Sequence, residues 1–350
     1  MKIQSVKAVY PKYQHVAPSW RTDMWQIVVQ ITSDTGETGY GWGGGGRASV
    51  PIVNGHFNEL IVGMDVNSID DIAGIWDHLY FESIPYGRKG IAMMALSGVD
   101  LALWDLLGKA EGKTVAHLIS PNLKSSIRCY GSGVDPLFHA DMGFRGTKTG
   151  VGRWTGEQSE IDTLITWAET ARSALGADGQ LMIDTYMSWD LDTTVAMSGY
   201  LAEYQIHWFE DVLNPDELEG QAELRNLVGD VNIAGGEHEF SHHGFNEIAR
   251  VGAMDIWQPD ITWCGGITAG MRIMKIADDA GIPVVPHRGA EVWGLHLIAA
   301  TACEDLGEYL TGGRDTKTDE VWFGAPVPVD GQIDISDSPG FGVTPNEALL

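Results

Sequence analysis

A chain of 350 residues is too long for one small domain and fits either two domains or a barrel that carries an added domain. Hydrophobic residues make up 44% of the sequence and no polar tract interrupts it, which excludes extended disorder. The formal net charge of −26, from 48 acidic and 22 basic residues spread along the chain, excludes nucleic acid as a partner.

The acidic excess predicts a solvated, self-repelling surface that suits a halophilic protein, because salt screens repulsion between like charges. Three cysteines, Cys129, Cys264 and Cys303, are too few and too widely spaced for a disulfide framework, so we expect reduced thiols. The N-terminus has no apolar signal core, and no uninterrupted run of about 18 apolar residues occurs. We therefore expect a cytoplasmic protein with no membrane partner.

The N-terminal part of the chain has the pattern of an α+β domain. Strand-like runs at 3–10, 25–32 and 37–42 predict a meander, with a turn at residues 33–36. A broad apolar surface over 91–110 then predicts a long helix. We expect these elements to form an N-terminal α+β capping domain over residues 1–125.

From residue 126 the pattern becomes a repeat of a short apolar strand, a polar residue and an amphipathic helix. The predicted strands are SIRCYGSG, FRGTKTG, QLMIDTY, IHWFEDV, VNIAGGEHE, MDIWQPDI, IPVVPHRG and GEYLTGG. Strands that alternate with helices predict an α/β fold with a parallel barrel over 126–320. The last segment, 321–350, is expected to pack back on the capping domain.

An ionisable residue stands at the end of each of the last seven predicted strands. In chain order these are Lys148, Asp184, Glu210, Glu237, Asp260, His287 and Glu308. One acid at a strand end often only caps a helix. Spacings of 26 and 27 residues between Asp184, Glu210 and Glu237, however, place three acids on adjacent strands, where they would converge at the barrel mouth.

Three converging carboxylates repel one another and take up protons unless a cation neutralises them. Oxygen-only ligation suits a hard divalent ion, and Mg²⁺ prefers a few carboxylates while it keeps positions for water or substrate. The sequence therefore predicts a Mg²⁺ site formed by Asp184, Glu210 and Glu237.

Asp260 and His287 form a second predicted group, 27 residues apart on neighbouring strands. A lone histidine is most often structural. An acid on the preceding strand, however, could hold one ring nitrogen and raise the basicity of the other. Proton removal beside a carboxylate needs a metal to stabilise the enediolate, so a base that faces a metal cluster suits that reaction.

At this point the sequence resembles the enolase superfamily, its mandelate racemase/muconate lactonizing enzyme subgroup and, within it, the L-rhamnonate dehydratases. The resemblance rests on LSGVDLALWDLLGK at 96–109, MGFRGTK at 142–148, IDTYMSWD at 183–190, HWFEDVLNP at 207–215, AGGEHEF at 234–240, IWQPDITWCGG at 256–266 and VVPH at 284–287. It implies a (β/α)7β modified TIM barrel, with the acid triad as metal ligands and His287 with Asp260 as the catalytic dyad.

The resemblance implies further site residues. Glu308 matches an acid near the substrate carboxylate, and His238, directly after a metal ligand, would face the substrate. Many relatives carry Lys-x-Lys on the second barrel strand, whereas this chain has Thr147-Lys148-Thr149. With only Lys148 left as a second catalytic group, elimination by His287 is favoured over racemisation with two bases.

Upstream of residue 90 the resemblance is weak, in the region of the substrate-covering loops. His15, Trp20, Arg21 and Arg47 are candidates to bind substrate hydroxyls or carboxylate, although an entry loop could equally carry them on its surface.

The expected function is Mg²⁺-dependent dehydration of an acid sugar, an aldonate similar to L-rhamnonate, to a 2-keto-3-deoxy acid. The alternative is racemisation or epimerisation of a 2-hydroxy acid on the same scaffold. The partner is thus a small acid sugar, and we expect the chain to form a homo-oligomer.

Two short motifs match other functions. His238-Glu239-x-x-His242 matches a zinc hydrolase signature, but Ser241 resembles a helix start that leaves His238 outside the helix. The run Gly39-x-Gly41-x-x-Gly44 matches a dinucleotide fingerprint, but it follows a hairpin. We interpret that glycine run as a flexible loop over the barrel mouth.

Overall fold

The computed structural model describes all 350 residues. The N-terminal part of the chain contains a three-stranded antiparallel sheet, in which the first, second and third strands lie side by side in that order. The elements up to residue 120 are β1 (Ile3–Val9), α1 (Arg21–Met24), β2 (Ile27–Ser33), β3 (Thr38–Gly43), α2 (Gly46–Pro51), a π-helical turn (Ile52–Phe57), α3 (Asn58–Ile61), α4 (Ile69–Ser83), α5 (Ile91–Glu111) and α6 (Val115–Ile119). The predicted meander and long helix are both present.

Glycines on β3 bring this strand directly against α5. A Cβ on Gly39 would lie 2.2 Å from the carbonyl oxygen of Ala102, and one on Gly41 would lie 2.1 Å from that of Gly98. Side chains here would force the strand away from the helix. The interpretation of the whole glycine run as a flexible covering loop was therefore wrong, because Gly39 and Gly41 belong to a packed antiparallel strand.

By length and composition, α5 is the one helix that could cross a membrane, but 89% of its most apolar window is buried within the protein. Asp100 and Asp105 interrupt its apolar sequence. The hydrophobicity of α5 is accounted for by its contacts with β2, β3 and neighbouring helices.

The second part of the chain forms a curled parallel sheet with helices outside it, as predicted. Seven strands are paired in the order β10-β4-β5-β6-β7-β8-β9. The elements are β4 (Ile127–Ser132), α7 (Pro136–Asp141), β5 (Gly146–Gly150), α8 (Gln158–Leu175), β6 (Gln180–Asp184), α9 (Leu191–Tyr200), a 3₁₀ turn (Ala202–Tyr204), β7 (Ile206–Glu210), α10 (Leu218–Leu227), β8 (Asn232–Gly235), α11 (Ser241–Val251), β9 (Ile256–Trp257), α12 (Gly266–Ala280), α13 (Val292–Ala300) and β10 (Gly307–Leu310).

The predicted strand at 282–289 is reduced to an isolated bridge between Trp257 and Val284. Pro283 and Pro286 flank this bridge, and proline cannot donate a backbone hydrogen bond to a ladder. The segment still pairs with β9, since the Val285 N–H donates to the Trp257 carbonyl at 2.9 Å. It therefore lies where the expected seventh barrel strand would lie.

The C-terminal segment contacts both parts of the chain. It contains β11 (Trp322–Phe323), β12 (Gln332–Ile333), β13 (Thr344–Pro345) and a 3₁₀ turn (Glu347–Leu349), and β12 pairs with β4 of the barrel. On the other side, the Phe341 N–H donates to Asp105 of α5 at 2.9 Å. The segment thus packs on the barrel as well as on the capping domain.

A hydrophobic core of 57 buried residues runs from β1 through α5 to α12 and the C-terminal segment. A separate cluster fills the inside of the barrel and consists of Tyr130, Met182, Trp208, Ala234, Ile256, Val285 and Leu306. Because these residues come from strands around the sheet, they form an apolar layer inside the barrel, directly below the strand ends.

Candidate active site

Strand register places the predicted acids side by side. Asp184, the last residue of β6, is the direct partner of Glu210, the last residue of β7. Glu210 in turn pairs with Ala234 of β8, and Glu237 follows this strand. The mouth of the barrel therefore carries a row of carboxylates.

Lys148 on β5 lies buried between two of the acids. Its Nζ forms a hydrogen-bonded ion pair with Glu210 and lies 2.7 Å from Oε1 of Glu308 on β10. Burial disfavours the ammonium, but the two carboxylates outweigh burial and raise the pKa of Lys148 well above its usual range. Lys148 is thus a fixed positive charge.

The charge of Lys148 does not neutralise every acid nearby. Burial, together with Glu210, raises the pKa of Asp184 to about 7. Asp211 is also buried, and burial with Glu237, Glu210 and Asp184 raises its pKa well above the usual range. One carboxylate oxygen of Asp211, Oδ2, has no hydrogen-bond partner. Such a surplus of buried carboxylate oxygens suits a divalent cation.

Sequence reasoning missed Asp211, which adopts a left-handed backbone with φ of 46°. Ligand atoms of Asp211, Glu237 and His238 all lie within 4.8 Å of one another. The residues that could hold a metal therefore include Asp211 and His238 beside the predicted Asp184, Glu210 and Glu237.

Glu237 lies between two imidazoles. Its Oε2 is 2.9 Å from Nε2 of His287, and its Oε1 is 3.2 Å from Nε2 of His238. Burial would raise the pKa of Glu237, but His287 and His238 lower it below its usual range. The structure thus brings His238 and His287 to the same carboxylate.

Asp260 and His287 are hydrogen-bonded as a dyad, with 2.9 Å between Nδ1 of His287 and Oδ2 of Asp260. Asp260 is buried, yet Arg288 and His287 lower its pKa. Burial disfavours the His287 imidazolium, but Glu237 and Asp260 outweigh burial and raise its pKa well above the usual range. The second carboxylate oxygen of Asp260 accepts from the backbone N–H and hydroxyl of Thr262, both at 2.7 Å.

Several residues around the dyad were not predicted from the sequence. Arg288 is buried, its guanidinium lies 3.4 Å from Asp260, and its backbone N–H donates to Glu308 at 2.8 Å. The Trp263 ring lies 5.9 Å from that of His287. Their proximity in sequence to Asp260 and His287 is the one signal that could have indicated them.

The four candidate substrate contacts upstream of residue 90 have different surroundings. The guanidinium of Arg21 lies 4.6 Å from the ring of Trp25, and the guanidinium of Arg288 lies 5.5 Å from the same ring, so Arg21 stands near the arginine that contacts the dyad. The Arg21 guanidinium also lies 5.4 Å from the ring of Trp20, which is exposed. Arg47 instead donates to Asp23 at 2.8 Å.

His15 has only a backbone contact in this region, a hydrogen bond from its N–H to Asp319 at 2.9 Å. The structure therefore brings Arg21, but neither His15 nor Arg47, towards the strand-end acids.

The residues of the zinc-hydrolase motif point to different partners. His238 precedes α11 and contacts Glu237, whereas the His242 ring packs on Trp76 at 5.6 Å. Glu239 forms an ion pair with Lys89 at 2.8 Å. The two histidines thus do not share one helix face, which that motif requires.

Comparison with known families matches almost the whole chain. The mandelate racemase/muconate lactonizing enzyme N-terminal domain matches residues 5–120, and the enolase C-terminal domain-like family matches residues 137–349. The chain belongs to the mandelate racemase/muconate lactonizing enzyme family of the enolase superfamily. This result confirms both the family and the fold class expected from the sequence.

Relatives within this family include dehydratases of sugar acids. A putative L-rhamnonate dehydratase from Caldivirga maquilingensis is 33% identical over 98% of this chain and 87% of its own length. Rhamnonate dehydratase from Gibberella zeae, solved in complex with Mg, superposes with a TM-score of 0.89 at 27% identity, covering 99% of this chain and 95% of that one.

A third member of the superfamily is L-talarate dehydratase from Polaromonas sp. JS666, in complex with Mg and L-glucarate. It has a TM-score of 0.82 at 26% identity and covers 99% of this chain and 96% of that chain. Because the matches cover at least 98% of this chain and 87% or more of each relative, this enolase-superfamily chain shares both domains with these enzymes.

Proposed function

We propose that this protein is a Mg²⁺-dependent dehydratase of an acid sugar, an aldonate similar to L-rhamnonate. The observation that carries the proposal is the approach of Nε2 of His287 to within 2.9 Å of Glu237, at the edge of the carboxylate cluster. A base whose reactive nitrogen faces a cation site can reach the carbon beside a cation-bound carboxylate.

In this proposal Asp184, Glu210 and Glu237 would hold the ion, and Asp211 would contribute a further buried oxygen beside it. When bound, Mg²⁺ supplies the positive charge that stabilises the substrate carboxylate as the proton at carbon 2 leaves. The unsatisfied Oδ2 of Asp211 and the raised pKa of Asp184 support a cation in this position.

His287 removes the proton from carbon 2 through Nε2. Asp260 holds Nδ1 at 2.9 Å, which directs Nε2 towards the mouth. The raised pKa of His287 arises chiefly from the charge of Glu237, which a bound cation would offset, so that Nε2 could accept the proton. The electron pair of the broken C–H bond then forms the double bond to carbon 3 as the C3–O bond breaks. The departing 3-hydroxyl takes up one proton and leaves as water, which balances the proton that His287 removed. The enol product tautomerises to the 2-keto-3-deoxy acid.

Lys148 supports elimination over racemisation. Its ammonium is engaged by Glu210 and Glu308 below the mouth, so it is not a free base on the opposite face of carbon 2. Racemisation of a 2-hydroxy acid, the alternative on this scaffold, would require a second group to return the proton from that face.

The proposed substrate class rests on side chains at the mouth of the barrel and on the names of similar enzymes. Arg21 and His238 offer a cation and an imidazole to a polyhydroxy acid, and Trp263 offers an apolar ring beside His287. The matched enzymes carry the names rhamnonate dehydratase and L-talarate dehydratase, and one is complexed with L-glucarate. These names support an acid sugar as the substrate.

The test is a panel of six- and five-carbon aldonates and aldarates, including L-rhamnonate, incubated with Mg²⁺ and assayed for 2-keto-3-deoxy acids. We expect turnover by wild type, none detectable by His287→Asn, and unchanged turnover by His78→Asn on the outer helix α4. The same reactions in D₂O distinguish the alternative. Deuterium at carbon 2 without a keto acid would support racemisation, and full activity of His287→Asn would overturn the proposed role of His287.

A further inference from the structure

The active-site dyad is connected to the capping domain by one buried glutamine. Gln26 immediately precedes β2 and is fully buried. Its Nε2 donates to the hydroxyl oxygen of Thr262 at 2.9 Å, and its Oε1 accepts from the indole N–H of Trp263 at 3.0 Å. Both polar ends of this side chain are thus used on two consecutive barrel residues.

Thr262 connects Gln26 to the His287–Asp260 dyad. Its hydroxyl accepts from Gln26 and from Arg288, the latter at 2.7 Å, so its single proton is directed to Oδ1 of Asp260 at 2.7 Å. Asp260 uses its other oxygen to hold His287. The orientation of the Asp260 carboxylate therefore depends on a hydroxyl whose direction is set by Gln26 and Arg288.

The side-chain oxygen of Gln26 fixes the orientation of the Trp263 indole. The Trp263 ring lies 5.9 Å from the His287 ring and 6.3 Å from that of His238. With its N–H held by Gln26, this ring cannot turn without breaking a buried hydrogen bond. One residue of the capping domain thus orients both the acid that holds His287 and the indole beside His287.

We propose that Gln26 is a positioning residue for catalysis, which aligns the His287–Asp260 dyad through Thr262 and fixes the indole of Trp263 beside His287. This inference rests on the proposed function for its catalytic readout. Its consequence is that the base is aligned only while the start of β2 is seated on the barrel, because no barrel residue supplies the two contacts that Gln26 makes.

Two pairs of variants separate positioning from folding. Gln26→Met keeps the volume and removes both hydrogen bonds, whereas Gln30→Met, on the strand that Gln26 precedes, is the matched control. Thr262→Val removes the hydroxyl, whereas Thr262→Ser keeps it. We expect Gln26→Met and Thr262→Val each to lower kcat about tenfold or more with KM within about twofold. Thr262→Val loses buried hydrogen bonds to the charged Asp260 and Arg288, and Gln26→Met frees the Thr262 hydroxyl and the Trp263 indole to reorient. Gln30→Met should retain wild-type kcat, and Thr262→Ser should recover most of the activity that Thr262→Val loses.

The double variant Gln26→Met/Thr262→Val tests whether Gln26 acts through Thr262. We expect the loss of kcat in the double variant to be clearly smaller than the product of the two single losses, because Thr262→Val already removes the part of the Gln26 effect that runs through the Thr262 hydroxyl. Independent, multiplying losses would overturn the connection, and so would a Gln26→Met kcat within about twofold of wild type.

A second measurement does not depend on the substrate. Nitrogen-15 NMR of histidine-labelled protein, with the His287 signals assigned from His287→Asn, reports the hydrogen bond at Nδ1. We expect these signals to shift in Gln26→Met and in Thr262→Val but not in Gln30→Met. If wild type dehydrates no acid sugar, the proposed function fails while this experiment still decides on Gln26; unchanged His287 signals in Gln26→Met would overturn its role.

Discussion

Lys148 and Glu308 form an ion pair of 2.7 Å in which both side chains are almost completely buried. Glu210 shares the same ammonium, so one cation satisfies two carboxylates from strands on either side of β5. A buried charge whose partner is removed is strongly destabilising, and this pair therefore offers a direct test of the site's electrostatics.

Lys148→Met should lower the free energy of unfolding by about 3–5 kcal/mol, because Glu210 and Glu308 lose their counter-charge inside the protein. Urea denaturation at neutral pH measures the loss. Lys275→Met is the control, since Lys275 pairs with Asp279 on the surface of α12 and should change stability by no measurable amount. Equal losses in the two variants would contradict the arrangement described here.

Asp184→Asn should have opposite effects with and without metal. At pH 8 in metal-free buffer it is expected to raise the melting temperature, because it removes one of several crowded carboxylates. Wild type should gain about 2.7 kcal/mol at a Mg²⁺ concentration 100 times Kd, and Asp184→Asn should gain less.

Differential scanning fluorimetry across a Mg²⁺ titration reads both effects of Asp184→Asn. Asp192→Asn on α9 serves as the matched exposed control and should behave as wild type. A Mg²⁺ response of Asp184→Asn as large as that of wild type would argue against a ligand at this position.

Buried His296 should make the protein less stable in mild acid. Burial lowers its pKa to about 3, and its Nδ1 accepts the N–H of Ala116 at 3.1 Å. The unfolded chain therefore binds a proton below about pH 6.5 that the folded chain excludes, and stability falls as the pH decreases. Between pH 7.5 and 5.5 this one group should cost about 1.4 kcal/mol.

His296→Asn keeps an acceptor near the Ala116 N–H and cannot take up that proton. Its absolute stability will be lower because the side chain is smaller, but the fall from pH 7.5 to 5.5 should be about 1.4 kcal/mol smaller than in wild type. Chemical denaturation at the two pH values gives the comparison, and an identical pH dependence would show that His296 does not titrate in this way.

Gly41→Ala should destabilise the capping domain by about 1–3 kcal/mol or more, since its Cβ would lie 2.1 Å from the Gly98 carbonyl oxygen on α5. Gly74→Ala in α4 meets no atom within 4 Å and should stabilise by about 0.5–1 kcal/mol, through helix propensity. Thermal unfolding of the two variants should therefore shift in opposite directions; a shared direction would contradict the close packing of β3 on α5.

The strand-end acids and the dyad could be predicted from the sequence because a parallel repeat fixes the register of each strand end. The pairing of Asp184 with Glu210 follows from this periodicity alone, because both residues end neighbouring strands. Gln26 could not be predicted, since its partner Thr262 is 236 residues away and a polar residue before a strand has no distinguishing pattern. The left-handed backbone of Asp211 could not be predicted from the sequence either, because it depends on contacts made only in the folded chain.

The segment around Val284 shows a different limit of prediction from sequence, which concerns how far a strand-like run pairs with its neighbours. Its apolar run predicts a strand, and it does occupy a strand's place, but the flanking prolines restrict its pairing to one bridge. Arg47 shows that residue type alone does not place a loop side chain, since its guanidinium pairs with the exposed Asp23.

The hydrophobic core of 57 residues crosses from the β1-β2-β3 sheet through α5 into α12 of the barrel. Two family domains are recognisable in the sequence, with a break between residues 120 and 137, yet no corresponding break exists in the packing. Neither half could be exchanged for that of a distant relative without re-matching the surface of α5. A substitution that disturbs the contact surface of α5 is therefore expected to destabilise both parts of the chain together.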